Sequence, residues 1–356
     1  MKPTILTSDK DKAPQKITEA QYYELMLKED VTDEEILEYS KIVKGEGGFD
    51  WVLVPNPEKV ELSIYKSFVT PIDLGNRFAR RRREVAFFTR LLTNNLPILV
   101  SEGDSWFQFP VLIREVIDQL ENDYLIWSVG AAGDTASNMV FGESRRGKTE
   151  YIRALRSQKE QVRGFLFSGA GNDILGEDPD TGEASLLEII KDYQPGNNNP
   201  YEHINLSALG RKLSFLKDAY ETVIRNIRLE SGLENLPIFI HGYDYVFPYP
   251  WNEEGEDPRN PLYADSDQWI GQPFKKRGYP DIPLRREIMK ILIDTLYDML
   301  NGVAGDSRST QVWVVNCRGA MPNLSDWNDE IHGNSDGFAK VAARFNSVIS
   351  EVLNGR

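Results

Sequence analysis

The reading of the fold turns on the stretch Leu96-Pro97-Ile98-Leu99-Val100-Ser101-Glu102-Gly103-Asp104-Ser105-Trp106. Its first half is apolar with little polar alternation, the pattern of a strand buried on both faces. Its second half is small, polar and glycine-containing, so the chain turns as soon as the strand ends. Four further runs of the same kind follow: Tyr124-Leu125-Ile126-Trp127-Ser128-Val129, Gly164-Phe165-Leu166-Phe167, Leu236-Pro237-Ile238-Phe239-Ile240 and Gln311-Val312-Trp313-Val314-Val315. Between and after them, apolar residues recur with helical spacing near 111–121, 149–159, 207–231, 284–302 and 335–353. Strand, helix and strand in repetition predict a five-stranded parallel sheet with helices on both faces.

Two long interruptions break this scheme, at 173–204 and at 242–283. The second is dense in aromatics, among them Tyr243, Tyr245, Phe247, Tyr249, Trp251 and Trp269. Both follow strand ends, where open parallel sheets bind ligands. Upstream, residues 1–60 read as a small helical appendage. Thr18-Glu19-Ala20-Gln21 and Thr32-Asp33-Glu34-Glu35 are capping boxes, and Gly45-Glu46-Gly47-Gly48 breaks the chain. Residues 61–95 form a connecting helical segment, and 96–356 the main domain.

The composition narrows the function. The chain has 356 residues, 40% of them hydrophobic, enough for a large core. Its formal net charge of −14 argues against a nucleic-acid partner. The run Arg80-Arg81-Arg82-Arg83 is the local exception; it reads as a solvated helix face, with an anion, headgroup or partner patch as the sharper alternative. A single cysteine, Cys317, excludes an internal disulfide and suits a reducing compartment. No stretch approaches the ~20 apolar residues of a membrane span. The first residues carry no apolar signal-like core, and the expectation is a cytoplasmic protein.

The chemistry lies just after the predicted strands. Ser105 follows the first, Gly133 the second and Asn172 the third, and Asp329-Glu330-Ile331-His332 lies beyond the fifth. Together these are the groups that acyl transfer needs. A serine hydroxyl requires an adjacent base, and His332 is placed to take its proton. Asp329, three residues earlier, is suited to hold one imidazole tautomer and to stabilise the imidazolium. The backbone N–H groups of Ser105 and Gly133 and the side-chain amide of Asn172 are the candidate donors to an oxyanion.

These four blocks resemble the SGNH/GDSL hydrolases. Gly103-Asp104-Ser105-Trp106 stands where that family has Gly-Asp-Ser-Leu. Gly133-Asp134-Thr135 is similar to the Gly-Asp-Thr of its lysophospholipase/thioesterase members. Gly171-Asn172-Asp173 matches Gly-x-Asn-Asp, and Asp329 to His332 matches Asp-x-x-His. The blocks occur in the family's order over roughly residues 97–350. The resemblance implies a flavodoxin-like three-layer α/β/α fold and metal-independent esterase, lipase or thioesterase activity without a cofactor. Gly333 replaces a frequent proline, which is expected to loosen the histidine loop.

Other candidates are weaker. Asp104 and Asp173 read as scaffold, and Glu330 is the runner-up acid. Trp106, His241, Tyr243, Tyr245 and Trp251 are candidate substrate-binding residues. His203, in an Asn/Pro-rich loop, reads as solvated, and Cys317 as a small buried residue. The histidines are dispersed and no zinc spacing appears, so no metal is expected. The expected partner is a small-molecule or lipid ester, with a homo-oligomer or protein contact through residues 1–60 as a further possibility. Acyl transfer to an alcohol is the alternative reaction, and a recruited effector protein regulated through its N-terminal segment is the alternative class.

Overall fold

A computed structural model describes residues 16–26, 28, 32–44, 51–61, 71–109, 113–142, 149–176, 183–251, 257, 259 and 269–355. The Gly45–Gly48 break and parts of both insertions lie outside them.

The N-terminal segment differs from the helical appendage its capping boxes suggest. Both boxes do start helices, at Glu19–Met26 and Asp33–Tyr39. Four short strands accompany them. β1 (Ile17–Thr18) pairs in parallel with β4 (Val60–Glu61), and β2 (Ser40–Lys44) runs antiparallel to β3 (Trp51–Pro55). The β-branched residues Ile42, Val43, Val52 and Val54 favour strand over helix here. Tyr22, Met26, Ile36 and Val60 bury a small separate core.

The helix Pro71–Leu91 joins this unit to the main sheet. Phe78 stacks on Tyr23 at 5.6 Å, and Phe87 stacks on Trp127 at 5.7 Å. The reading of Arg80–Arg83 as a solvated face is corrected here. Of the four, Arg81 alone is mostly exposed, pairing with Glu84. Arg80 donates to Gly130 O at 2.8 Å and pairs with Glu150. Arg83 is buried, pairs with Glu115 and Asp118, and donates to Phe107 O at 2.8 Å. A helix completes a turn every 3.6 residues, so two of four consecutive arginines face the protein; Arg80 there meets the part-exposed Glu150 and Arg83 the buried Glu115.

The five apolar runs form one parallel sheet: β5 (Ile98–Gly103), β6 (Leu125–Ser128), β7 (Val162–Ser168), β8 (Ile238–His241) and β9 (Val312–Val315). Their order is β6-β5-β7-β8-β9. The helix Val116–Leu120 packs against Ser335–Asn354, and Leu206–Arg228 packs against Ala136–Phe141 and Ile282–Ala304. This is a three-layer α/β/α fold in which helices cover the central sheet. The order reverses at β5, so the loops leaving β5 and β7 part toward opposite faces. The crevice between them is where such sheets bind ligands. Among the described residues, no helix is long and apolar enough to cross a membrane.

Candidate active site

Ser105 sits on the turn that ends β5. An Asx-turn makes that turn: the Asp104 carboxylate accepts from Trp106 N at 3.1 Å. The chain then folds back through Phe107 N and Gln108 N, both bonded to Asp104 O. His332 arrives from a loop closed by Asn328 N donating to His332 O at 2.8 Å and by a bridge between Trp327 and Gly333. The Trp106 indole N–H, next to the serine, donates to Ile331 O at 2.9 Å, next to the histidine. Two loops 225 residues apart in sequence are thereby tied edge to edge.

Ser105 Oγ and His332 Nε2 are 2.7 Å apart, and His332 Nδ1 lies 2.8 Å from Asp329 Oδ2. The ionised carboxylate accepts from Nδ1–H, which leaves Nε2 as an acceptor facing the serine hydroxyl. Asp329 Oδ1 accepts from the backbone N–H groups of Ile331 and His332 at 2.9 and 2.7 Å. These bonds fix the carboxylate toward the ring. The three residues are 4%, 2% and 1% exposed for Ser105, His332 and Asp329, so water competes little with them. Phe109 and Trp269 pack edge-on against the imidazole, at 4.9 and 5.8 Å.

Gly133 adopts φ +81, a conformation that L side chains rarely take, so the turn after β6 needs glycine. Asn172, in the first turn of Gly171–Leu175, donates its side-chain N–H to Asp134 O at 2.6 Å. That bond couples the β7 loop to the Gly133 turn. Ser105 and Asn172 line one cavity together with Trp106 and Tyr243. Asp173 caps the helix Ala136–Phe141 by accepting from Ala136 N at 2.8 Å.

Beneath the serine lies a second polar chain that the sequence did not disclose. Tyr243 N donates to His241 Nδ1 at 3.3 Å, so His241 Nε2–H donates to Ser168 Oγ at 2.8 Å. Ser168 in turn donates to Asp104 Oδ1 at 2.8 Å. The Tyr243 hydroxyl accepts from Gly171 N at 2.8 Å and donates to Asp104 Oδ2. It thus clamps the Ser105 turn to the Asn172 loop across the crevice. Burial pushes the Asp104 carboxyl up to about 6, against the pull of Tyr243, Trp106 and Ser168. Burial alone pushes His241 down to about 3, so its ring is neutral.

The candidate substrate-binding residues therefore separate. Trp106 and Tyr243 face the cavity. His241 is fully buried among Trp106, Phe107, Tyr243 and Phe345 and does not line it. Tyr245 bonds Asp294 at 2.7 Å, and Trp251 packs on Phe247; neither lines the cavity.

Three further expectations are revised or refined. His203 is buried rather than solvated: the 3-10 turn Pro200–His203 tucks its ring between Tyr193 and Tyr279, with Nε2 2.9 Å from Asn197 O. Gly333 does not loosen its loop, because a Cβ there would meet Met321 Sδ at 2.7 Å and glycine lets the strands close. Glu330 turns away from His332. Its carboxylate accepts from Tyr249, Trp269, Ile270 and Gly271 N–H at 2.6 to 3.0 Å, pinning the aromatic insertion to the histidine loop. Arg259, also in the insertion, donates to Asp329 O at 3.3 Å. The partners of Tyr243 and Glu330 are set by loop geometry, which no local sequence signal carries. Cys317 is buried, and burial pushes its thiol far above the usual range. Among the described residues, no group of three or more His, Cys, Asp or Glu is placed to hold a metal ion.

No family model matches the chain, and no curated protein matches it in sequence. Solved structures similar to it include an extracellular lipase from Streptomyces rimosus, at 10% identity and TM-score 0.40 over 70% of this chain and 99% of that one. Est24, a carbohydrate acetylesterase from Sinorhizobium meliloti, is similar at 11% identity and TM-score 0.35 over 73% of this chain and 100% of that one.

Proposed function

We propose that the chain is a serine-dependent carboxylic ester hydrolase of the SGNH/GDSL type. The observation that carries this reading is the buried hydrogen-bond chain from Ser105 Oγ through His332 to Asp329, at 2.7 and 2.8 Å. As the Ser105 oxygen bonds the ester carbonyl carbon, its proton passes to His332 Nε2. The resulting imidazolium is stabilised by Asp329. Negative charge on the former carbonyl oxygen is met by the N–H groups of Ser105 and Gly133 and the amide of Asn172. Each such donor is worth about 3 kcal/mol of barrier. The carbon–oxygen bond to the alcohol then breaks, and His332 returns the proton to the departing alkoxide. Water repeats the sequence: it gives a proton to His332, its oxygen bonds the acyl carbon, and the acid leaves as Ser105 recovers its hydrogen.

A fluorophosphonate probe tests the assignment, because it phosphonylates only an activated serine. Wild-type protein is expected to label and Ser105→Ala to remain unlabelled. Asp329→Asn is expected to lower kcat about 10^4-fold by supporting the wrong tautomer. Labelling that persists in Ser105→Ala overturns the reading.

A further inference from the structure

The cavity beside Ser105 carries information about the substrate. The space in which a water-sized sphere can sit is about 40 Å³, a narrow slot. One wall is the helix Ile282–Ala304, which contributes Met289, Leu292, Ile293 and Leu296. Their spacing of three, four and seven residues lays them along one face of the helix. Ile174 and Leu175 form the facing wall, from the short helix that carries Asn172. Among the described residues, no lysine, arginine or histidine lines the space, and the one carboxylate that does, Asp104, is already occupied by Ser168, Tyr243 and Trp106 N. A charged or sugar-like group placed there would lose its water and find no replacement partners.

The cavity also has a direction relative to the chemistry. The leaving alcohol must stay within reach of His332 Nε2, which protonates it, and His332 is not among the lining residues. Asn172 is. The carbonyl oxygen is taken by the oxyanion donors, Asn172 among them, so the acyl chain is the remaining substituent of the ester carbon that can enter the cavity. Resting on the hydrolase reading above, we infer that the cavity selects esters of straight aliphatic acids longer than acetate, held along the Met289–Leu296 face.

The test is a matched pair of ester series on the full chain. One varies the acyl chain from acetate to dodecanoate on a fixed p-nitrophenol; the other varies the alcohol from ethyl to octyl on a fixed acetate. kcat/KM is expected to rise up to ~4-fold per methylene from acetate to at least hexanoate, the ratio that about 0.8 kcal/mol per buried methylene supplies. Across the alcohol series it is expected to stay nearly flat. Leu292→Trp, which fills the space, is expected to lower the hexanoate-to-acetate ratio at least fivefold. Leu292→Ala, which enlarges it, is expected to move the optimum to longer chains. Hexanoate no better than acetate, with Ser105 still labelled by the fluorophosphonate, overturns the acyl cavity and leaves the hydrolase reading standing. A dependence on alcohol length instead of acyl length does the same. No turnover of any ester and no labelling overturn both.

Discussion

At the scale of single residues, the site contains two histidines in opposite situations. His332 faces the serine and pairs with a carboxylate. His241 lies beneath it, neutral, with burial holding it down to about 3. A histidine lowered on folding binds its proton more readily when unfolded, so it contributes stability at neutral pH that is lost as pH falls below about 6.5. Asp104 works the other way. Its carboxyl is pushed up to about 6, so it stays protonated in the fold over a range where the unfolded chain has ionised. Its contribution therefore grows as pH falls from about 6 toward 4. The two effects oppose each other over pH 4–6.5, which masks both in the wild type. Replacing His241 by Gln removes one and exposes the other. The stability difference between wild type and His241→Gln is expected to shift by about 2 kcal/mol in the variant's favour between pH 7 and pH 5. Thermal unfolding of both proteins at the two pH values measures it, and parallel curves would show that His241 is not a neutral buried ring.

At the scale of elements, the sheet was legible and the insertions were not. All five apolar runs became strands, because a strand buried on both faces writes its environment into consecutive residues. That Ser105, Asp329 and His332 meet was legible for a related reason. They follow strand ends, and Asp329 and His332 are close enough in sequence for spacing to carry geometry. Glu330 shows the limit. It sits between those two, yet its four partners come from Tyr249 and from Trp269 to Gly271, about 60 to 80 residues away. An acid bonded only to backbone amides has no partner side chain for a sequence to reveal. The short strands β2 and β3 were hidden differently, since capping boxes nearby drew the reading toward helix. Glu330 also yields a prediction. Glu330→Gln replaces an acceptor-only group by one that turns N–H donors toward N–H donors. Loss of charge-assisted bonds to buried amides is expected to cost about 2–4 kcal/mol. It should also free the insertion that brings Trp269 against His332. Limited proteolysis is expected to cut within 242–281 first, with kcat/KM down about 10- to 100-fold. Unchanged proteolysis and activity would show that the insertion is held by other contacts.

At the scale of the whole molecule, the helix Pro71–Leu91 reaches the loops of the candidate site through Asn76, which bonds Ala132 N and O beside Gly133, through Arg80, which donates to Gly130 O, and through Arg83. Arg83, on the helix Pro71–Leu91, meets Glu115, Asp118, Gln108 and Phe107 O. Phe107 and Gln108 are the second and third residues after the nucleophile. Arg83 therefore braces the Ser105 turn from outside the sheet, while Tyr243 braces it from below. Glu115 is fully buried, and burial already pushes its carboxyl well above the usual range, so removing Arg83 leaves a buried acid without the cation that offsets its lost water. Arg83→Met is expected to cost about 3–5 kcal/mol, of order 5–10 °C in Tm, and to slow fluorophosphonate labelling of Ser105. Arg81, two residues away and exposed, pairs with Glu84, and Arg81→Met is expected to cost under about 0.5 kcal/mol. The contrast separates a brace from the general effect of losing a cation on that helix. A third variant locates the brace. Tyr22→Ala empties the small N-terminal core but touches neither Arg83 nor the sheet. If the N-terminal unit supports the site only through the helix Pro71–Leu91, Tyr22→Ala lowers stability while the labelling rate stays within about twofold of wild type. Labelling lost in Tyr22→Ala but kept in Arg83→Met would place the coupling in the N-terminal core itself and remove Arg83 from the argument.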